Sequence, residues 1–287
     1  MKRRTFMVEK PSRVEAVLRG ALALAREEAI ALVDRGAVYL DGKRAKDPAA
    51  RVAIGVKVMV VLEESGAPVT APAPKANSLV VLYEDAGVLA VDKPPGITAQ
   101  PTPGKVGDSL VDLATAYLRR QAGLVHRLDR ETSGVTIFGK TPRSTSALAA
   151  AFREGRAKKE YLAVTASGLP ASGVIELPLS KDPSRPGRWR ASNTANGISA
   201  ETHFTRLSDN GAVAVVALFP QTGRTHQLRA HLTGIGFPIV GDRLYGGAEG
   251  PRCLLHAHCL EIDELSIEAP VPDEIERYLI GKKSPVI

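Results

Sequence analysis

Apolar residues in the first part of the chain recur every three or four positions, which is the spacing of amphipathic helices. The pattern predicts one helix through Val14, Leu18 and Leu22, and a second through residues 29–33 after a polar break. Gly36 follows the second run, where a helix-ending glycine is expected because glycine adopts the left-handed conformation without steric cost. The first part of the chain therefore contains a pair of helices.

After this helical pair the pattern changes to short β-type runs. A strand at 38–40 is followed by the Asp41-Gly42 pair, which is a strong signal for a hairpin turn. The alternating run at 56–62 supplies a further strand. A first, small domain over residues 1–64 is predicted from these elements.

Residues 65–77 contain three prolines among small residues and predict a semi-extended linker. From residue 79 onward, β-type runs dominate, with a few helical stretches between them. The predicted strands lie at 79–85, 88–93, 135–138, 158–164, 200–207 and 213–219, and the predicted helices at 110–120 and 144–153. The predicted fold class is α+β, with a small helical domain, a linker, and a larger domain over 78–287 built on a mostly antiparallel mixed β-sheet.

Charge and composition narrow the class of protein. The formal net charge of +7 favours a polyanionic partner. Two cysteines in 287 residues indicate a reducing compartment and no disulfide framework. The basic start lacks a following apolar stretch, which argues against a signal peptide, and no run approaches the ~18 apolar residues that span a bilayer. A cytoplasmic protein without a membrane segment is expected.

The densest group of charged residues lies at 123–135, next to the β-branched run that predicts a strand. A loop at the start of that strand would crowd two arginines and His126 around Asp129. A carboxylate surrounded by guanidinium groups should stay ionised, and a fixed anion suits a nucleophile or electrostatic stabiliser better than a proton donor. A loop salt-bridge cluster without chemistry explains the same residues.

Nine residues of this loop, His126 to Gly134, match the signature His-Arg-Leu-Asp-Arg-x-Thr-Ser-Gly in register. The segment closely resembles the RluA-type RNA pseudouridine synthases. The resemblance implies that Asp129 is the catalytic aspartate and that Arg127 fills the space left by a flipped nucleotide. Such an enzyme takes the uridine out of the base stack, because its glycosidic bond cannot be reached inside the stack.

A second segment, residues 223–232, matches the family's Thr-His-Gln-Leu/Ile-Arg-x-His pattern almost letter for letter. The resemblance implies that Arg229 pairs with Asp129, and a planar guanidinium fits a carboxylate in bidentate geometry. The residues by themselves predict a short helix that Thr225 caps and Gly234 ends. An arginine on a helix surface, without a role in the site, is the alternative.

Weaker matches lie elsewhere in the predicted larger domain. Tyr161 falls in a Lys-x-Tyr-x-Ala match and, by resemblance, would stack on the target base, a role that aromatic rings fill well on unstacked RNA bases. A core tyrosine on a strand is the alternative. Leu255, in a Leu-His-Ala match, would line the apolar side of the base pocket. The turns at 236–246 predict a scaffolding role, and the Asp-Lys-Pro-x-Gly match that ends at Gly96 is common turn chemistry.

The first domain resembles the small RNA-binding module named after ribosomal protein S-four, since its two helices precede Gly-x-Val-x-x-Asp-Gly-Lys. This resemblance implies an RNA-binding face made of basic residues. They would be Arg13, Arg26, Arg35, Lys43 and Arg44. A basic loop at 181–190, which holds the chain's single tryptophan, also suits single-stranded RNA. Solvated charged surfaces explain both groups equally well.

Cysteines and histidines at 253–259 could suggest a metal site. On a strand, however, Cys253 and Cys259 would be roughly 20 Å apart at ~3.3 Å per residue, so they cannot share one tetrahedral ion. His256 and His258 share a face, but no carboxylate lies between them. No metal is expected. No cofactor is expected either, because isomerisation breaks and forms bonds within one nucleotide without oxidation or hydrolysis.

The function predicted from the sequence is an RNA pseudouridine synthase that isomerises specific uridines, with 23S large-subunit rRNA as the favoured substrate. A tRNA pseudouridine synthase and a non-catalytic RNA-binding or ribosome-assembly protein are the alternatives. The predicted partner is structured RNA, and the chain is expected to act as a monomer. Two chemical routes stay open: attack of Asp129 on the sugar C1′, or removal of a sugar proton by Asp129.

Overall fold

The computed structural model describes the chain in six stretches, residues 2–34, 36–45, 47–62, 79–101, 109–192 and 197–279. The chain divides into two compact units. The N-terminal unit comprises Met1–Ser78 and Thr98–Gln121, and the main unit comprises Leu79–Ile97 and Ala122–Ile287. The predicted domain boundaries stay a prediction, since the linker at 65–77 lies outside the described residues.

A sheet and two helices form the core of the N-terminal unit. Its first strands and helices are β1 (Lys2–Met7), β2 (Ser12–Arg13), α1 (Val14–Leu22), α2 (Arg26–Asp34), β3 (Val38–Leu40), β4 (Lys43–Arg44), β5 (Arg51–Val52) and β6 (Lys57–Leu62). The sheet order is β1-β6-β3-β4, and β2 pairs with β5. Leu18, Leu32 and Val60 are completely buried in this core. The helical pair, the hairpin and β6 confirm the hydrophobic pattern, whereas strand β1 was not predicted.

Helix α3 (Leu110–Leu118) also belongs to the N-terminal unit. A capping box starts it: the Ser109 hydroxyl accepts from the Asp112 N–H, and the Asp112 carboxylate accepts from the Ser109 N–H. Asp112 also lies 3.7 Å from the Arg44 guanidinium. That guanidinium packs against Gly36, whose φ of 71° ends α2 as predicted. Arg44 therefore contributes to the packing of this unit.

The main unit contains a large sheet flanked by helices. Its elements are β7 (Val80–Glu84), β8 (Val88–Lys93), β9 (Gly123–Leu124), β10 (Ser133–Gly139), α4 (Pro142–Arg153), β11 (Ala157–Ala166), β12 (Ser172–Ile175), β13 (Leu179–Lys181), β14 (Trp189–Ala191), β15 (Thr202–Asp209), β16 (Val213–Pro220), α5 (Gln227–Gly234), β17 (Leu255–Ile262), β18 (Leu265–Glu268) and α6 (Asp273–Glu276). The sheet order is β12-β15-β16-β11-β17-β10-β8-β7, with β18 beside β17 and β9 beside β10.

The strand directions confirm the predicted fold class. Over the described residues, β10 and β17 run parallel and the other paired strands of this sheet are antiparallel. Leu162, Leu218 and Leu232 are buried where α5 packs near the sheet, and each such side chain stabilises the fold by roughly 2 kcal/mol. In the described part of the chain, no helix has the length and apolar character needed to cross a membrane.

Strands β10 and β17 touch over two residue pairs, Ser133 with His256 and Gly134 with Ala257. Gly134 has a φ of 111°, and a Cβ at this position would overlap the Ala257 carbonyl. Only glycine allows this approach of the two backbones. The loop of residues 125–132, called the aspartate loop below, leads directly into this junction.

Candidate active site

The aspartate loop is anchored at its end and leaves one carboxylate accessible. Ser133 is buried, and its hydroxyl lies 3.0 Å from His256 Nδ1. Thr132 is also buried, and its N–H donates to the Asp129 carbonyl at 3.2 Å. The Asp129 side chain, in contrast, is 26% exposed. The strand fixes the loop, and the carboxylate faces a region that a substrate can reach.

Lys93 ties the aspartate loop to the Pro-Pro-Gly turn after β8. Its ammonium is completely buried and donates to the carbonyls of Pro94 (2.8 Å), Ile97 (2.9 Å) and Arg130 (3.1 Å). Three acceptors match the three donors of an ammonium. Burial lowers the pKa of Lys93 to about 8, and the nearby carboxylates of Glu131 and Asp129 oppose this shift. The Lys-Pro-x-Gly segment therefore organises the aspartate loop.

We expect Lys93→Met to loosen the aspartate loop. Methionine has a similar length but donates no hydrogen bond, so three partly buried carbonyls lose their partner, at a cost of about 1–3 kcal/mol in the free energy of unfolding. Turnover should also fall, because Asp129 directly precedes Arg130, whose carbonyl Lys93 anchors. Chemical denaturation and turnover assays check both effects. Lys158→Met, at a position that is 81% exposed, is the control; equal behaviour of the two variants would contradict this role.

One guanidinium bridges two carboxylates at the centre of the site. Arg229 donates through Nε (2.7 Å) and Nη2 (2.8 Å) to the two oxygens of Asp242, which is buried, and through Nη1 (3.1 Å) to Asp129 Oδ2. Burial opposes the charge of Arg229, but Asp242 and Asp129 together raise its pKa. Arg229 therefore forms a bidentate ion pair with Asp242 and a single contact with Asp129.

Buried side chains of α5 and β15 hold Arg229 in position. Gln227 accepts from the Thr222 hydroxyl and the Arg224 N–H, and donates to Glu201 O and Thr202 Oγ1. His231 contacts Thr202 Oγ1 and the Leu177 carbonyl, each at 2.9 Å. These contacts fix the helix on the sheet. The predicted cap is wrong: α5 begins at Gln227 after His226, and no side chain caps it.

The histidine next to Asp129 is His226, whereas the sequence pointed to His126. His226 Nε2 lies 3.7 Å from Asp129 Oδ2. His126 accepts a hydrogen bond from the Ile137 N–H at Nε2 (3.0 Å) and stacks on Phe152. Burial lowers the pKa of His126 to about 3. Its function is structural, because it satisfies a backbone donor on β10 where β17 no longer pairs.

The arginines nearest to Asp129 in the sequence also lie elsewhere than expected. Arg130 donates to the Gly96 carbonyl at 2.9 Å and lies 3.8 Å from Glu131. Arg127 is exposed. Among the described residues, the guanidinium in contact with Asp129 comes from Arg229, 100 positions later in the chain. The charged cluster is therefore assembled by the fold rather than within the loop.

Tyr161 and Leu255 share one face of the sheet. Tyr161 of β11 pairs with Ala257 of β17, the residue that also pairs with Gly134. Leu255 is two positions from Ala257 on β17, and residues two apart on a strand point to the same face. Burial raises the pKa of Tyr161, and the charge of Asp129 adds to this shift, so the phenol stays neutral. Tyr161 and Ala257 also line a small pocket with His126, Lys159 and Leu260. Leu255 itself is buried.

The predicted basic loop is a hairpin that reaches the site. Strands β13 and β14 pair across it, and the Trp189 N–H donates to the Tyr245 hydroxyl at 3.0 Å. The centroid of the Tyr245 ring lies 4.9 Å from the guanidinium carbon of Arg229 and 5.2 Å from that of Arg188. Both are cation–π distances. The segment predicted as scaffold thus contributes Asp242 and Tyr245 to the site.

Within the described residues, no cluster of three or more metal-ligating side chains occurs. His258 Nδ1 donates to the Ala269 carbonyl at 3.0 Å, and His256 Nδ1 contacts Ser133. Burial raises the pKa of Cys253 to about 12, so this thiol stays protonated. These groups pack the sheet.

Known protein families and relatives match this chain. The family model described as RNA pseudouridylate synthase matches residues 87–233. An uncharacterized RNA pseudouridine synthase of Zymomonas mobilis is 40% identical over 207 residues, 67% of this chain and 93% of the relative. Ribosomal large subunit pseudouridine synthase D of Xanthomonas campestris is 33% identical over 278 residues, 86% of this chain and 81% of the relative. The dual-specificity RNA pseudouridine synthase RluA of Escherichia coli is 38% identical over 197 residues, 66% and 89% respectively.

Solved structures agree on the fold. Human RNA pseudouridylate synthase domain containing 4 superposes with a TM-score of 0.62 at 24% identity, over 71% of this chain and 95% of that one. The chain is an isomerase of the RNA pseudouridylate synthase family. Its relatives place it with the RluA-type enzymes.

Proposed function

We propose that Asp129 performs the chemistry of uridine isomerisation in this protein. The observation that carries the proposal is the contact of one carboxylate oxygen, Oδ2, with the buried Arg229 at 3.1 Å while the side chain stays partly exposed. A carboxylate held in this way is ionised and oriented before the substrate arrives. The bond between uracil N1 and C1′ breaks, and the bond between C5 and C1′ forms. The C5 proton is lost and N1 gains one, so atoms balance without a cofactor.

Contacts with the flipped nucleotide are proposed for three further side chains. Gly134, just after the aspartate loop, pairs with Ala257 of β17, and Ala257 pairs with Tyr161 of β11. Tyr161 thus places a neutral aromatic ring near the loop, and such a ring can stack on uracil. Leu255 is on the same face and supplies an apolar wall. Arg127 is exposed beside Asp129 in the sequence, where it can fill the space that the nucleotide leaves.

The favoured substrate is large-subunit rRNA, and we place the reaction in the cytoplasm with a single chain as the active species. A relative that is similar over 86% of this chain bears the name ribosomal large subunit pseudouridine synthase D, and the N-terminal unit carries exposed basic residues. The dual-specificity name of another relative keeps tRNA as the second candidate.

Mapping pseudouridines in total RNA from cells with and without this gene tests the substrate. We expect one or a few sites to disappear from 23S rRNA while tRNA sites persist. Loss confined to tRNA would overturn the rRNA assignment. Unchanged maps in both RNAs would contradict the substrate proposal altogether.

We propose that the N-terminal unit binds RNA through Arg13, Arg26 and Lys43, all exposed. Of the other two predicted residues, Arg35 lies outside the described residues and Arg44 is half-buried. Changing the three to glutamate should weaken rRNA binding and reduce the slope of log affinity against log salt by roughly 0.7–0.9 per lost phosphate contact. The rate of the bound complex should stay the same. Filter binding at several salt concentrations and single-turnover kinetics check both.

A triple change of exposed basic residues in the main unit, Arg143, Arg153 and Lys158 to glutamate, is the charge-matched control. This triple changes the net charge by the same amount as the N-terminal triple. If both triples weaken binding to the same extent, the N-terminal unit has no specific role and bulk charge alone explains the affinity.

A further inference from the structure

Two donors converge on the same oxygen of Asp129. Arg229 Nη1 lies 3.1 Å from Oδ2, and His226 Nε2 lies 3.7 Å from it. The His226 distance exceeds that of a hydrogen bond, but catalytic contacts in substrate-free enzymes are often long and shorten in the complex. His226 also has a φ of 56°, in the left-handed region that is uncommon for residues other than glycine. The surrounding structure holds the backbone of His226 in this conformation, and residues of this kind cluster at functional sites.

The proton positions on His226 follow from its partners. Tyr245 Oη receives the Trp189 N–H at 3.0 Å and lies 3.1 Å from His226 Nδ1. Burial raises the pKa of Tyr245 to about 12, so the phenol keeps its proton near neutral pH. The amide of Trp189 can only donate, so it occupies one lone pair of Tyr245 Oη, and the phenol proton is left for donation to His226 Nδ1.

A neutral imidazole that accepts at Nδ1 carries its proton on Nε2. Burial lowers the pKa of His226, although Asp129 opposes this effect, so the neutral form is present near neutral pH. The Nε2–H then faces Asp129 Oδ2 as a donor. When Tyr245 donates to Nδ1 in this way, it selects the tautomer whose Nε2–H points at the carboxylate of Asp129.

We propose that His226 is a positioning residue for Asp129: together with Arg229 it holds Oδ2, so that Oδ1 is the oxygen that reacts with the nucleotide. The proposal rests on the assigned role of Asp129. It also gives the Tyr245–His226 contact a function, since this contact sets the tautomer of His226. Each group lies in the main unit and is described by the structure.

The tautomer can be measured independently of activity. Long-range ¹H–¹⁵N correlation on protein labelled in its histidine rings distinguishes Nδ1-protonated from Nε2-protonated imidazole, and His226→Gln assigns the signal. We expect the Nε2–H tautomer in the wild type and a mixture of tautomers in Tyr245→Phe, which keeps the ring on Arg229 but loses the hydroxyl. Tyr83→Phe, which removes a surface hydroxyl bonded to Asp85, is the matched control and should change nothing. An Nδ1–H tautomer in the wild type would overturn the proposal.

Steady-state kinetics test whether the N–H donor at position 226 supports turnover. Gln and Met have similar size and no branch at Cβ, so they impose matched strain at position 226, but only glutamine keeps an N–H donor. We expect His226→Met to lower kcat roughly tenfold with KM for RNA nearly unchanged, and His226→Gln to recover most of kcat. His203→Gln, at a surface histidine paired with Glu201, is the control. Equal kcat for the Gln and Met variants would contradict positioning by the donor. A wild type that does not isomerise uridine would instead contradict the role of Asp129, whatever the tautomer.

Discussion

Asp129→Asn is expected to abolish pseudouridine formation while RNA affinity stays within a few fold of the wild type. The amide retains the size of the carboxylate, and its oxygen can still accept from Arg229 Nη1. It can neither attack C1′ as an anion nor take up a sugar proton. RNA that carries tritium at uracil C5 reports the reaction, because this position loses its hydrogen when the new bond forms. Single-turnover release of tritium should fall by at least a hundredfold.

The control for this variant is Asp263→Asn, which removes a charge of the same kind at a surface pair with Arg156. It should release tritium at the wild-type rate. Wild-type release from the Asp129→Asn protein would mean that another group carries out the chemistry. Loss of RNA binding in parallel with activity would mean that Asp129 shapes the binding surface instead.

Arg229→Lys is expected to have the next largest effect. An ammonium is a single point charge and cannot reproduce the three contacts that one planar guanidinium makes with Asp242 and Asp129. Turnover should fall roughly a hundredfold, the cost of losing one preorganised donor in an active site. The buried Asp242 also loses part of its pairing, so the free energy of unfolding should fall by about 1–3 kcal/mol.

Turnover and chemical denaturation separate these two effects. Arg156→Lys, at an exposed arginine paired with Asp263 and Glu154, is the control and should change neither quantity. If Arg229→Lys loses stability but keeps its turnover in the folded fraction, then Arg229 is a structural residue and Asp129 needs no guanidinium partner.

Local sequence patterns predicted most of the elements of the main unit. Apolar, β-branched runs gave β8 and β16, and the helix predicted at 144–153 corresponds to α4. The charged loop before β10 and its aspartate were also apparent, because a dense charge cluster next to a strand is visible along the chain. These are signals within ten residues of one another, which is the range over which periodicity can be seen.

The partners of Asp129 could not be predicted in the same way. Asp242 lies in a turn that reads as scaffold, and only the fold brings its carboxylate to Arg229. His126 and His226 have the same side chain, so the sequence alone does not show which of them lies beside Asp129. The fold uses His126 as an acceptor for the Ile137 N–H. Lys93 has the one signal that could have been used, since a lysine within an apolar strand must find acceptors.

Strand β1 was missed for a different reason. The segment Lys2–Met7 is rich in basic residues, so its apolar content is low, yet it pairs with β6 along its whole length. Similarly, the sequence predicted a helix over 110–120, but not that α3 groups with the N-terminal unit. Pairing partners of an amphipathic segment are a tertiary property.

Complementation with quantitative pseudouridine mapping tests the catalytic assignment most directly. Cells that lack this gene would receive the wild-type chain, Asp129→Asn or Asp263→Asn at matched protein levels. We predict that the wild type and Asp263→Asn restore the missing pseudouridines in rRNA to full occupancy and that Asp129→Asn restores none. Restoration by Asp129→Asn would contradict the account, because the modification would then form without the carboxylate that Arg229 holds.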